Sequence, residues 1–175
     1  MDFCGIYDKQ VAEHYKTAYI TPLWIGWEFR QKPVLPTGTA GWMALAKSNE
    51  WDLPANVRHD LQSGKWAVVV TDTTQVIQYV NTNFEQMTGY RNHEVVGRRP
   101  VFLQGAETDP SSRHRIRKAL EKHRVIEEQV VNYRKDQSKY WCHITIRPIL
   151  NRQKQVVNFI AFEQEFETNE LSVQQ

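Results

Sequence analysis

From Trp66 onward the chain places apolar and polar residues in short regular blocks, whereas residues 1–64 carry their apolar groups in scattered clusters. "WAVVVTD" and "VIQYV" are β-branched runs separated by the turn-prone "DTTQ", the pattern of a hairpin. "NTNFEQMTGY" supplies polar capping residues, a brief helix and a glycine stop, and "NHEVVG" repeats the formula with Asn92 as cap and Gly97 as terminator. In "TDPSSRHRIRKALEKH", Asp109 is placed to cap a helix and Pro110 suits its first position. Ile116, Ala119, Leu120 and His123 form one stripe along it. "VIEEQVVNY", "YWCHITIRPIL" and "QVVNFIAFEQEF" read as strands joined by "RKDQSK" and "NRQK". The order β-β-α-α-α-β-β-β predicts an α+β domain, a five-stranded antiparallel sheet with helices gathered on one face.

The first 64 residues hold Trp24, Trp27, Trp42 and Trp51. "DKQVAEHYKTAY" sets Val11, Tyr15 and Tyr19 at helical spacing, "AGWMALAK" makes about two turns, and Pro54 opens a helix holding Val57 and Leu61. Helices this short need a surface to pack on. The expected organisation is a helical N-terminal extension or cap over 1–64, a domain over 65–166 and a flexible tail over 167–175, "ETNELSVQQ". The extension packs its aromatics on the domain and is also suited to meeting a partner.

Strand parity separates two faces. Ile126, Glu128, Val130 and Asn132 share one side, as do Cys142, Ile144 and Ile146, and as do Phe159, Ala161 and Glu163. If that side meets the helices, Asn132, Cys142 and Glu163 point inward together. A carboxylate there must be hydrogen-bonded, paired or protonated, because an unpaired charge is costly to bury. Val131, Ile149, Ile160 and Phe162 fall on the opposite side, and an apolar outer face calls for a covering helix, a partner or a second copy.

Composition narrows the function classes. The 175 residues are 41% apolar, and 22 Lys and Arg against 20 Asp and Glu leave a formal charge of +2, which points to neither nucleic acid nor an anionic membrane. Cys4 and Cys142 form no disulfide framework, and His59, His93, His114, His123 and His143 fall in no metal-ligand spacing. No apolar run approaches the roughly 18 residues of a membrane span. A soluble cytoplasmic protein is expected. "EHYK" and "HITIR" hold reactive residue types without a nucleophile, base and orienter arranged together, so no catalytic residue is assigned and no enzyme is expected.

"VVVTD", "YVNTNFEQMTGY", "EVVG", "FLQG", "TDP" and "NYRKD" together make the segment from Trp66 to Phe166 resemble a PAS domain, and within that family the flavin-binding light-oxygen-voltage (LOV) type. The resemblance implies a PAS fold and a pocket for a flavin. In the proteins it resembles, the motif before "FLQG" reads Gly-Arg-Asn-Cys-Arg, and its cysteine bonds covalently to the flavin after blue light. Here the same places hold Gly97, Arg98, Arg99, Pro100 and Val101. Proline has no thiol and no backbone N–H. By the same resemblance, Gln104 stands at a ring contact and Arg117 at a phosphate contact, while Val101 replaces a phosphate-binding arginine. Asn132 matches the first of two asparagines at the flavin's polar edge, Cys142 takes the place of the second, and Glu163 replaces a glutamine.

The candidate cofactor-binding set is therefore Arg99, Gln104, Arg117, Asn132, Cys142 and Glu163, a degenerate pocket. Several unmatched polar groups in one pocket wall, each worth roughly 1–3 kcal/mol, lead to the expectation of no cofactor, with flavin mononucleotide as the alternative. The function expected is a stand-alone LOV-like sensory or regulatory protein acting by protein contact, as a homodimer or with a signalling partner. The alternative is a photosensor or redox sensor that holds flavin without a cysteine adduct, with Tyr79, Trp66 or Tyr133 as electron donors.

Overall fold

In the computed structural model, which describes residues 39–167, five antiparallel strands form one sheet in the order β2-β1-β5-β4-β3. They are β1 (Ala67–Asp72), β2 (Ile77–Val80), β3 (Ile126–Tyr133), β4 (Lys139–Leu150) and β5 (Val156–Phe166). The predicted PAS-type α+β architecture is present. The β1–β2 turn forms because Asp72 Oδ1 accepts from the backbone N–H groups of Thr74 and Val76, both at 2.9 Å.

Between β2 and β3 the chain crosses the inner face of the sheet. Helix α3 (Thr82–Thr88) is capped by Asn81, whose Oδ1 accepts from Phe84 N at 3.0 Å and from Val68 N at 2.9 Å. The cap thereby fixes the helix to β1. Gly89 ends α3 in the left-handed region at φ 76°. In α4 (Asn92–Val95) the capping position is Arg91, not Asn92 as the sequence suggested. Asn92 is buried instead, donating from Nδ2 to the Val80 carbonyl at 3.2 Å. A 3-10 turn (Pro100–Leu103) follows, then α5 (Pro110–Glu121). Asp109 caps α5 as expected, accepting from the N–H groups of Ser111 and Ser112, both at 3.0 Å, with Pro110 in the first turn.

Two apolar clusters sandwich the sheet. The inner one joins Phe84, Val95, Leu103 and Leu120 to Val69, Ile144, Ile146, Phe159 and Ala161. The outer one holds Val68, Val70, Tyr79, Ile149, Ile160 and Phe162, and it is closed by α1 (Thr39–Ser48) and α2 (Ala55–Ser63) through Trp42, Leu45, Val57 and Leu61. The outward face at these strands is thus covered by the chain's own helices rather than left open for a second copy. Trp51 bridges to Asn151, and Asp52 N donates to the Leu150 carbonyl at 2.8 Å, tying the segment after α1 to the β4–β5 hairpin. The predicted helix around Val11, Tyr15 and Tyr19, Trp24 and Trp27, and the tail from 168 lie outside the described residues.

Candidate functional site

The inner face of the sheet does not close completely against the helices. A cavity of about 830 Å³ lies between it, the 3-10 turn and α5. Its sheet wall is apolar at Val69, Val130, Ile144, Ile146, Phe159 and Ala161, and polar at Asn132 and Glu163. Gln104, which ends the 3-10 turn, enters from the other side, and Pro100 and Val101 also line the space. Near-apolar walls with a few placed polar groups are the usual make-up of a small-molecule site, and about 300–1,000 Å³ its usual size.

Five of the six candidate residues line this cavity: Arg99, Gln104, Arg117, Asn132 and Glu163. Cys142 does not. It is fully buried within the inner cluster, its Sγ 4.0 Å from Glu163 Oε2. Strand register sets where these three residues lie relative to one another. Asn132 pairs with Tyr140 and Cys142 with Glu165, so Asn132, Cys142 and Glu163 run diagonally across β3, β4 and β5. Parity predicts the shared face but not which members of the diagonal touch open space. Burial pushes the Cys142 thiol far up, with the Glu163 carboxyl adding to the shift, so this cysteine stays a neutral thiol.

Glu163 is 3% exposed and forms no ion pair among the described residues. Its pairing neighbours, Ala67 on β1 and Ile144 on β4, offer no charge. Burial raises its carboxyl from 4.5 to about 7. Asn132 is also buried, and Tyr140 beside it has its phenol pushed up by burial first and by Glu163 second.

The mouth of the cavity is cationic. Arg113, His114, Arg117 and Glu121 line it from α5 and Arg99 from the segment before the 3-10 turn, so that three arginines face one carboxylate there. None of the three arginines forms an ion pair among the described residues. Arg115, by contrast, leaves the site to pair with Glu128 on β3 at 2.5 Å, and Arg98 lies over the Phe102 ring at 4.1 Å. Sequence reasoning missed Arg113 and His114. The signal was available, since positions three and four before Arg117 on a helix share its face. Tyr79 and Trp66 pack on the outer side of the sheet, and Tyr133 lies against Gly105, so none of these three candidate electron donors lines the cavity.

A family model described as "PAS domain" matches residues 66–165. The chain belongs to the PAS domain family. Among its relatives, blue-light-activated histidine kinase 2 of Erythrobacter litoralis is 36% identical over 94 residues, 54% of this chain and 27% of that protein. Phototropin-1A of Oryza sativa is 36% identical over 112 residues, 62% of this chain and 12% of that protein. The chain thus spans a minor part of the length of each of these relatives. A solved structure described as "Flavin Analogue Sheds Light on Light-Oxygen-Voltage Domain Mechanism" superposes with a TM-score of 0.60 at 32% identity, covering 64% of this chain and 85% of that one.

These comparisons overturn the expectation of no cofactor. A LOV domain of the same fold and substantial identity is described with a flavin analogue. The cavity itself passes the physical test: it is large enough, polar at Asn132, Glu163 and Gln104, and cationic at its mouth. The error lay in adding substitution penalties as though each position acted alone. Arg99, already in the candidate set, is joined at the cavity by Arg113, a cation that counting losses at Val101 did not include. Among the described residues, no helix is long and apolar enough to cross a membrane.

Proposed function

We propose that this chain is a LOV-type sensor that holds a flavin nucleotide in the inner cavity and signals by protein contact, without covalent photochemistry at position 100 and without an enzymatic site of its own. The observation that carries the reading is the cavity's polarity: buried Asn132 and Glu163 at the sheet, unpaired Arg99, Arg113 and Arg117 at the mouth. Such a space suits a flat apolar ring system with one polar edge and an anionic tail. Bound flavin would supply blue-light absorption. The protein's own groups would orient it, with Asn132, Gln104 and Glu163 meeting the ring edge and the arginines holding phosphate.

Pro100 lines the cavity and has no thiol to attack with. Cys142 does not replace it in this reading, since it is buried off the cavity as a neutral thiol. The signal is instead a change in contacts around the ring. Strand β5 is suited to relay it, because Phe159, Ala161 and Glu163 face the cavity while Asn158, Ile160 and Phe162 lie under the α1–α2 cap. We assign 1–64 as the extension, 65–166 as the sensory domain and 167–175 as a tail, in a homodimer or a complex with a signalling partner. Contacts of that kind would use surface other than the part of the sheet covered by α1 and α2.

Blue illumination of the flavin-loaded protein tests the light reaction. Retention of the flavin absorption band, with changes limited to its position or fluorescence, is expected. Reversible bleaching that recovers in the dark and is abolished by alkylating the thiols would contradict it.

A further inference from the structure

We propose that Glu163 keeps its proton while the cavity is empty and donates it in a hydrogen bond to the polar edge of the bound flavin, so that flavin capture depends on one carboxyl proton. This inference rests on the flavin reading above and deepens it.

The geometry leaves Glu163 few alternatives. Its carboxyl lines the cavity yet is 3% exposed, and the sole side-chain partner within hydrogen-bonding range among the described residues is the Cys142 thiol, Sγ to Oε2 4.0 Å. The elements packed around it bring no compensating cation to it. From β4 come Cys142 and Tyr140, both of which stay neutral. From β1 comes Ala67, and from β3 Asn132. The charged groups facing the same cavity are Arg99 before the 3-10 turn and Arg113, His114, Arg117 and Glu121 on α5, and none of them pairs with Glu163. Burial alone raises the carboxyl, to about 7.

A protonated carboxyl presents an O–H donor beside a carbonyl acceptor, the same pair of functions that a primary amide offers. It therefore complements a ring edge with adjacent C=O and N–H or ring nitrogen, which the pyrimidine portion of a flavin carries. Ionised, the same group accepts only. It would then face the acceptors of that edge with a buried negative charge, and the binding-competent fraction of the protein would fall. When one protonation state alone binds, apparent affinity drops by the inverse of that fraction, about tenfold per pH unit above the titration point.

The test titrates riboflavin, which carries no phosphate to titrate, into the flavin-free chain between pH 5.5 and about 8.5, following fluorescence quenching. The wild type should bind with constant affinity at the acid end and lose roughly tenfold per pH unit above neutrality. Glu163→Gln should remove that slope, and Glu163→Leu should bind at least about tenfold more weakly than wild type at the acid end, with no slope. His114→Gln should leave the wild-type slope in place. Infrared spectra of the flavin-free chain give a second readout, a protonated-carboxyl band that disappears through neutral pH in the wild type and is missing in Glu163→Gln. Binding by wild type and Glu163→Gln with the same flat pH profile would overturn the inference and leave the flavin reading intact. Absence of binding by both proteins at every pH would overturn the flavin reading and the inference with it.

Discussion

The indole Nε1 of Trp51 donates to Asn158 Oδ1 at 2.8 Å, joining the segment after α1 to the middle of the sheet. Asn158 is fully buried and saturated: its Oδ1 also accepts from Asn49 Nδ2 at 2.9 Å, while its Nδ2 donates to the Thr71 carbonyl at 2.9 Å and to Gln78 Oε1 at 3.3 Å. One amide thus links the helical cap, β1 and β2 through β5. Asn158→Leu leaves two donors, Asn49 and Trp51, and two acceptors, the Thr71 carbonyl and Gln78 Oε1, without this partner, and the expected loss is roughly 3 kcal/mol. Urea unfolding measures it, and hydrogen exchange should show protection lost first over residues 39–63.

Stability should also depend on Glu163. Its carboxyl is raised in the folded chain, from 4.5 to about 7, so between those values the folded state binds more protons than the unfolded one. Its stabilising contribution is complete below the lower value and is lost as pH rises through about 7. The amplitude is on the order of 3 kcal/mol, at about 1.4 kcal/mol per pH unit. The salt-bridged Glu128, held low by its hydrogen bond and charge interaction with Arg115, works in the opposite sense and at more acid pH. Comparing Glu163→Gln with wild type isolates the first effect: the variant should gain stability relative to wild type as pH rises from 5 to about 8. A constant difference between the two proteins would show that Glu163 does not titrate there.

Phe162 is 4% exposed beneath α1 and α2 and meets Trp66 edge-on at 6.5 Å between ring centroids. Phe162→Asp buries a charge without a partner in that apolar layer and should destabilise the domain by roughly 4 kcal/mol or release the cap. Thermal melting and limited proteolysis at residues 39–63 check it. A variant as stable as wild type, with an unprotected cap, would mean that the α1–α2 packing contributes little.

At position 100 the chemistry can be reversed. Pro100 lines the cavity, so Pro100→Cys would place a thiol at its wall. With flavin bound, the variant should acquire a reversible light-induced loss of the visible band that wild type lacks. A wild-type protein that already shows this reaction would contradict the account of position 100.

Much of the fold was legible in the sequence because its signals are local. Asp109 and Pro110 mark the start of α5, and the alternation of Phe159, Ala161 and Glu163 fixes the inner face of β5. Asn92 was misjudged as a cap because a capping residue and a buried amide look alike until its partner, the Val80 carbonyl, is in place. Cys142 was given an inward direction by parity and a place in the pocket by the resemblance, yet the depth of open space along a face depends on how the 3-10 turn and α5 pack, which is a tertiary property. Arg99 and Arg117 were grouped through the resemblance, whereas Arg113 was overlooked although its position four residues before Arg117 puts it on the same helical face. Whether Phe162 faces a partner or the chain's own helices was equally open, because an apolar outer face accepts either cover.

The most direct test of the flavin-binding cavity is titration of flavin mononucleotide into the full chain at pH 6, after removal of any bound pigment, by calorimetry and fluorescence. The account predicts one flavin per chain at micromolar affinity or tighter. Affinity should weaken by roughly tenfold or more for Arg117→Ala or Arg113→Ala with flavin mononucleotide, and much less with riboflavin. No saturable binding of flavin mononucleotide by the folded wild-type chain would contradict it.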